Sequence, residues 1–77
     1  SPNPTSGDFW LELEQVPFKQ LTFRLLNTTG QVLRNEVLPV NRNLVNHQVS
    51  TEYLPKGIYW VQLQHEQGVH TFKVVIQ

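Results

Sequence analysis

The sequence predicts an all-β protein whose short antiparallel strands pack face to face as a sandwich, with a small open barrel as the alternative architecture. Three observations support this prediction. Apolar and polar residues alternate in several segments, turn-forming residues recur about every 8–12 residues, and no segment has a helical period. The chain is also rich in Val, Leu, Phe, Tyr and Trp and contains no Ala or Met, a usage that favours strands over helices. We expect six or seven strands.

The first third of the chain predicts a linker and two strands. Residues 1–7 contain two prolines and several turn-forming residues, so we expect an extended linker without regular structure. Residues 8–14 alternate between apolar and polar side chains, as a half-buried strand does. Residues 15–19 break this pattern. The alternation resumes over residues 20–27, which place three apolar side chains on one side: Leu21, Phe23 and Leu25.

The middle of the chain predicts a hairpin and a less regular strand. Residues 27–30, with the sequence Asn-Thr-Thr-Gly, predict a turn in which Gly30 takes a positive φ, and residues 31–37 return as a strand. Residues 40–50 predict a further strand with Val45, His47 and Val49 on one face, although its three asparagines are poor strand formers. Residues 51–54 predict a short turn or one turn of 3₁₀ helix.

The last third of the chain predicts a β-hairpin around which the rest of the protein is organised. Pro55 and Gly57 are residues that favour a tight turn, and a strand is expected to start at Ile58. Tyr59, Val61 and Leu63 then share one side of that strand. The Glu-Gln-Gly turn of residues 66–68 reverses the chain. The terminal strand places four side chains on one face: His70, Phe72, Val74 and Ile76.

Length and composition predict one domain over residues 1–77, a linker over residues 1–7 followed by a β-sandwich over residues 8–77. Without cysteine, the fold must be held together by its core alone. Six basic and six acidic residues balance and are scattered, so we expect no nucleic-acid partner. No apolar run is long enough to span a membrane. Because the chain lacks an initiator methionine and a signal peptide, we interpret it as a C-terminal module of a longer protein.

The polar residues do not predict an enzyme, a metal site or a cofactor site. Glu12 and Glu14 share an exposed strand face, where carboxylates usually serve solubility, and Ser6 and Ser50 have no neighbouring histidine in a recognisable motif. His65 and His70 flank the predicted turn and could approach each other, but a third ligand is not evident. His47 is predicted to face inward as a hydrogen-bonded histidine of the core or its rim.

Trp10 and Trp60 suggest an alternative function. Both fall on the outward side of their predicted strands. Exposed indoles can form a sugar-binding platform or a protein contact. The alternative reading is therefore an interaction or carbohydrate-binding module kept at the cell surface.

Four motifs in order resemble the type A C-terminal sorting domain of the bacterial type IX secretion system, over essentially the whole chain. The motifs are Pro2-Asn3-Pro4 followed by Gly7, Leu26-Asn27 before Gly30-Gln31-Val32, Leu54-Pro55-Lys56-Gly57-Ile58-Tyr59-Trp60-Val61, and the terminal Lys73-Val74-Val75-Ile76. The resemblance implies a seven-stranded immunoglobulin-like β-sandwich at the C-terminus of a cargo protein. It also implies that the domain stays folded in the periplasm and is recognised by the outer-membrane translocon. A surface sortase would then remove the domain and join the cargo to anionic lipopolysaccharide.

The hairpin of residues 58–76 is our hypothesis for the element that the translocon recognises. A terminal strand at a sheet edge could be extended by a receptor strand, and it also makes a dimer plausible. We assign recognition to Gly57, Tyr59, Gly68, Lys73, Val74, Val75, Ile76 and Gln77. The N-terminal motif consists of Pro2, Asn3, Pro4 and Gly7.

Overall fold

The structure, a computed structural model, describes residues 7–77 and contains six β-strands in that range, all of them paired antiparallel. They are β1 (Phe9–Leu13), β2 (Gln20–Leu26), β3 (Val32–Pro39), β4 (Val45–Val49), β5 (Gly57–His65) and β6 (Gly68–Ile76). β1 and β4 form a two-stranded sheet, and the other strands form a four-stranded sheet in the order β3-β2-β5-β6. The all-β prediction is confirmed. The family resemblance implied seven strands, and residues 7–77 supply six.

One apolar core joins the inner faces of the two sheets. β1 and β4 contribute Phe9 and Val49, whereas β2 and β5 contribute Phe23 and Val61, which are fully buried. This arrangement follows from the period of two along each strand, because every second side chain points inward. The inward faces predicted for β2, β5 and the end of β6 are therefore confirmed. Burial of the inner faces supplies the main stabilising free energy, about 25 cal/mol for each Å² of apolar surface removed from water.

The turn between β2 and β3 is held by the side chain of Asn27. Its Oδ1 accepts hydrogen bonds from the backbone N–H of Thr29 at 3.1 Å and of Gln31 at 2.9 Å, and from the Thr29 hydroxyl at 2.7 Å. Its Nδ2 donates to the Gln31 side chain at 3.1 Å. Gly30 has a φ of 86°, as predicted for a residue in the left-handed region. These bonds give Asn27, Gly30 and Gln31 a physical role in the turn.

The strand predicted for residues 40–50 is shorter than expected. A tight turn occupies residues 41–44, closed by reciprocal backbone hydrogen bonds between Asn41 and Leu44 at 3.0 and 2.8 Å. Arg42 and Asn43 have φ values of 52° and 63°, so both central residues take the left-handed conformation of a hairpin turn. Asparagine tolerates this conformation well. The strand β4 therefore begins only at Val45, while its inward face is the predicted one.

The segment between β4 and β5 crosses back as the predicted turn. The Leu54 N–H donates to the Thr51 carbonyl at 3.0 Å. The Thr51 N–H in turn donates to the Asp8 carboxylate at 3.1 Å, and Gln48 Nε2 donates to the other oxygen of the same carboxylate at 3.2 Å. Asp8 thus fixes the start of β1 to the end of β4, which is a structural role. No helix of residues 7–77 is long and apolar enough to cross a membrane.

Candidate functional site

The residues predicted for recognition lie on the hairpin of β5 and β6, which forms one end of the four-stranded sheet in the described part of the chain. The two strands pair from Gly57 with Ile76 to His65 with Gly68, so Glu66 and Gln67 form a two-residue loop. Gly68 has a φ of 151°, a value that L side chains rarely adopt. The predicted hairpin is confirmed, and both strands begin one residue earlier than expected, at Gly57 and at Gly68.

Some of the predicted recognition residues lie inside the core. Tyr59, Val74 and Ile76 are 5%, 2% and 4% exposed. Tyr59 and Val74 are direct register partners on the inner face of the hairpin. In the folded domain these side chains are therefore inaccessible to a partner, and they shape the hairpin from within.

The other predicted recognition residues remain near the surface. Lys73 and Gln77 are exposed, as is Gly68 at the opposite end of β6. Val75 and Gly57 are half-buried. Lys73 is the register partner of Trp60, and Val75 that of Ile58, on the outer side of the hairpin. The structure thus separates the predicted set into an inner, buried half and an outer, accessible half.

The start of β5 is fixed by a hydrogen bond that the sequence did not reveal. The buried Tyr59 hydroxyl donates to the backbone carbonyl of Pro55, four residues earlier. Between them Gly57 has a φ of 150°, and no atom lies near the position that a Cβ would take, so backbone conformation alone favours glycine there. Pro55, Gly57 and Tyr59 therefore act together to turn the chain into the hairpin.

Replacing Tyr59 by Phe is expected to lower the free energy of unfolding by about 1–2 kcal/mol, because it removes the hydrogen bond to the partly buried Pro55 carbonyl. Urea denaturation followed by circular dichroism measures the change. Tyr53→Phe is the matched control, since Tyr53 is 84% exposed and should change stability by less than about 0.5 kcal/mol. Equal effects of the two substitutions would contradict the role assigned to the Tyr59 hydroxyl.

The N-terminal motif lies largely outside the described residues. Pro2, Asn3 and Pro4 belong to residues 1–6, which the structure does not describe, and so does most of the predicted linker. Gly7 is described, is exposed and lies in a bend next to the start of β1.

His47 lies at the rim of the core, as predicted. Its Nε2 is 3.0 Å from the Glu36 carboxylate, and its ring contacts Phe23 edge-on with the centroids 5.4 Å apart. The alternation of β4 places it on the same face as Val45 and Val49. The pairing with Glu36 gives His47 a structural partner at the opening between the two sheets.

His65 and His70 meet across the hairpin, and their hydrogen bonds account for both rings. The Gln67 N–H donates to His65 Nδ1 at 3.1 Å, so in the neutral ring the proton resides on Nε2. That Nε2 lies 3.1 Å from His70 Nε2, at hydrogen-bond distance, and the His65 ring stacks on Phe18. Residues 7–77 contain no group of three or more His, Asp or Glu side chains that could hold a metal ion.

Trp10 and Trp60 are exposed on different sheets, at 46% and 37%. Both point away from the common core, as their outward register predicted. Trp10 lies on β1 of the two-stranded sheet and Trp60 on β5 of the four-stranded sheet, and neither side chain belongs to the buried core.

A comparison with protein families matches residues 2–77 to the family described as the secretion system C-terminal sorting domain. The chain belongs to this family. A comparison with the curated proteins finds no significant match. The family match confirms the resemblance drawn from the four motifs, and the two hairpin motifs correspond to the start of β5 and the end of β6.

Membership of the sorting-domain family identifies the general role of the chain. The family is one of secretion signals of the type IX system and is not a catalytic family. A sorting domain is recognised by the secretion machinery, and its cargo is secreted or displayed at the surface of Bacteroidetes cells. The contacts of Asp8 and His47 have structural roles: Asp8 accepts a hydrogen bond from the Thr51 N–H, and His47 pairs with Glu36.

Proposed function

We propose that the sorting domain is the export signal of its cargo and that the outer-membrane translocon recognises it in its folded state in the periplasm. The observation that carries this proposal is the family match over residues 2–77. A core with several fully buried side chains and no disulfide supports a signal that stays folded without oxidative assistance. The cargo would pass through the periplasm and then reach the cell surface or the medium.

The hairpin of β5 and β6 is the proposed recognition element. Its support is that two of the four family motifs lie at the start of β5 and at the end of β6, where they are register partners. Lys73, Gln77 and Gly68 are exposed and can contact the translocon directly. Gly57 and the buried Tyr59, Val74 and Ile76 would hold the hairpin in the recognised shape, and the half-buried Val75 faces the outer side of the hairpin. Pro2, Asn3, Pro4 and Gly7 are proposed to connect the domain to its cargo.

The proposed architecture is one domain over residues 1–77, with a linker over residues 1–7 and an immunoglobulin-like sandwich over residues 8–77. The common core of the two sheets and the strand order β3-β2-β5-β6 support it. The hydrogen bond from the Tyr59 hydroxyl to the Pro55 carbonyl adds to this support, because a tyrosine at the start of a strand that bonds back to the preceding backbone is characteristic of such sandwiches.

After export, we expect a surface sortase to remove the domain and attach the cargo to anionic lipopolysaccharide. The support is the resemblance to the type A family. Cleavage would be visible as loss of about the mass of this domain, 9.0 kDa, from the surface-located cargo. Retention of the full mass at the surface would contradict it.

Fusing residues 1–77 to the C-terminus of a periplasmic reporter tests the export function. In a bacterium with an active type IX system, we expect the reporter in the medium or on the cell surface. The reporter without the domain should remain in the periplasm, and so should the fusion in a strain that lacks the translocon. A fusion that stays in the periplasm with a folded sorting domain would contradict the proposal.

A second candidate function is an uncleaved interaction or carbohydrate-binding module at the surface. The exposed Trp10 and Trp60 favour it. In the proposed sandwich the two indoles lie on opposite outer surfaces, which weakens this alternative, because a sugar-binding platform would have only one of them. Under this alternative, Trp10→Ala or Trp60→Ala would abolish ligand binding while export continued.

A dimer through an edge strand likewise stays a prediction that sedimentation equilibrium would test.

A further inference from the structure

We infer that the secretion machinery docks on the outer face of the four-stranded sheet, at an apolar patch formed by Leu26, Val32, Ile58, Trp60 and Val75, through a protein surface that is apolar at its centre and acidic at its rim. This inference rests on the proposed export function and identifies the surface and the partner chemistry. We call these five residues the outer apolar patch.

The inner side of the hairpin is buried, whereas its outer side is open to contact. Tyr59, Val74 and Ile76 are at most 5% exposed, so a partner that reads the folded hairpin cannot touch them. Ile58 and Trp60 flank Tyr59 along β5. They lie on the outer side of the hairpin and are 45% and 37% exposed. The outer side therefore offers side chains through which a partner can recognise the folded hairpin.

The strand register brings the outer apolar patch together from all four strands. Val32 on β3 pairs with Leu26 on β2, which in turn pairs with Trp60 on β5. Ile58 lies two residues before Trp60 on β5 and pairs with Val75 on β6. Residues that are neighbours in adjacent strands on one face have their Cβ atoms about 4.5–5.5 Å apart, so these side chains are contiguous. Val32, Ile58 and Trp60 are exposed, whereas Leu26 and Val75 are half-buried. An apolar surface of this kind is typical of a protein contact.

The charges on the outer face are all positive. The sixteen outward side chains in the registers of the four strands include two cations and no acidic residue. They are Gln20, Thr22, Arg24, Leu26, Val32, Asn35, Val37, Pro39, Ile58, Trp60, Gln62, Gln64, Val69, Thr71, Lys73 and Val75. Arg24 is held in place by a 2.7 Å hydrogen bond to Gln64, and Lys73 stands directly across from Trp60. The complementary partner surface is therefore acidic.

The acidic residues of the domain lie elsewhere, which makes this polarity specific to the outer face. Glu12 lies on the outward side of β1, on the other sheet, and Glu66 lies in the hairpin loop. A second copy of the domain that used the same face would bring Arg24 and Lys73 against like charges, which disfavours a symmetric dimer there. The charge pattern thus favours an acidic partner over a second copy of the domain.

Trp60→Ala in the reporter fusion tests the patch, with Trp10→Ala as the matched control on the opposite surface. Large aromatic residues at the centre of an interface are often the residues that contribute most to binding, so we expect Trp60→Ala to lower the exported fraction about tenfold or more. Trp10→Ala should leave export unchanged. Thermal unfolding of both variants checks the fold. If Trp60→Ala destabilises the domain more than Trp10→Ala does, Ile58→Ser takes its place.

Charge reversal tests the acidic partner. Lys73→Glu is expected to reduce export severalfold, because a rim charge that meets a like charge lowers the association rate. Lys19→Glu introduces the same change just before β2, outside the outer face, and should have no effect.

Equal export of Trp60→Ala, Lys73→Glu and the wild type would overturn the docking inference and leave the export function intact. Failure of the wild-type fusion to be exported would instead overturn the proposed function. Dimerisation that Trp60→Ala abolishes would also overturn the inference, since a second copy would then occupy the patch.

Discussion

Deleting residues 73–77 is expected to unfold the sorting domain and, as a result, to leave its cargo in the periplasm. The deletion removes Val74 and Ile76, which are 2% and 4% exposed in the core. It also removes the strand pairing that covers Tyr59, the register partner of Val74. Loss of a buried Ile or Val side chain costs roughly 1–5 kcal/mol, and the two losses act on the same end of the hairpin.

Two measurements separate unfolding from loss of recognition in the truncated domain. Circular dichroism and resistance to protease report the fold, and the location of the reporter reports export. Deleting Gln77 alone is the control, because this residue is exposed and follows the last strand. Export of the 73–77 deletion at the wild-type level would contradict a role of the terminal strand. A truncated domain that is folded but not exported would show that the missing residues are recognised directly.

Replacing Phe23 by Ala is expected to have the largest effect of any single substitution in the core. Phe23 is fully buried at the centre of β2, and Phe→Ala substitutions at such positions cost about 3–5 kcal/mol. A native domain has about 0.05–0.15 kcal/mol of stability for each residue, so a small domain loses much or all of its stability. Urea denaturation of the purified domain should place the variant largely in the unfolded state at room temperature.

Phe18→Ala is the matched control for the Phe23 substitution. Phe18 is half-buried and stacks on His65 at the edge of the core, so its loss should cost clearly less. In the reporter fusion, Phe23→Ala should abolish export together with the fold, whereas Phe18→Ala should allow it. Export of cargo by an unfolded Phe23→Ala domain would show that the translocon reads the linear sequence, which would contradict recognition of a folded signal.

The outer and inner halves of the hairpin therefore predict different kinds of defect. Changes at Tyr59, Val74 or Ile76 should lower stability first and export as a consequence. Changes at Trp60 or Lys73 should lower export at unchanged stability. This separation gives the two hairpin motifs a physical meaning. Side chains alternate along a strand, so residues that support the fold lie next to residues that contact the partner.

The sequence predicted a turn correctly only where its residues have strong preferences for a turn conformation. Asn27 and Gly30 predicted the β2–β3 turn correctly, since the asparagine side chain and the positive φ of glycine are local properties. The turn of residues 41–44 was missed because Arg42 carries no turn signal of its own and Val40 and Leu44 continued an apparent strand pattern. Its hydrogen bonds between Asn41 and Leu44 become evident only in the folded chain.

The sequence by itself determined the all-β class, the position of the terminal hairpin and the inward faces, as for Phe23 and Tyr59, because side-chain alternation is a property of each strand alone. It also determined the family through four short motifs. The tertiary structure decided the strand order β3-β2-β5-β6, the contact between the Tyr59 hydroxyl and the Pro55 carbonyl, and the joining of Val32, Leu26 and Trp60 into one patch. These features depend on pairing between residues far apart in the chain, and local periodicity contains no information on which strands become neighbours.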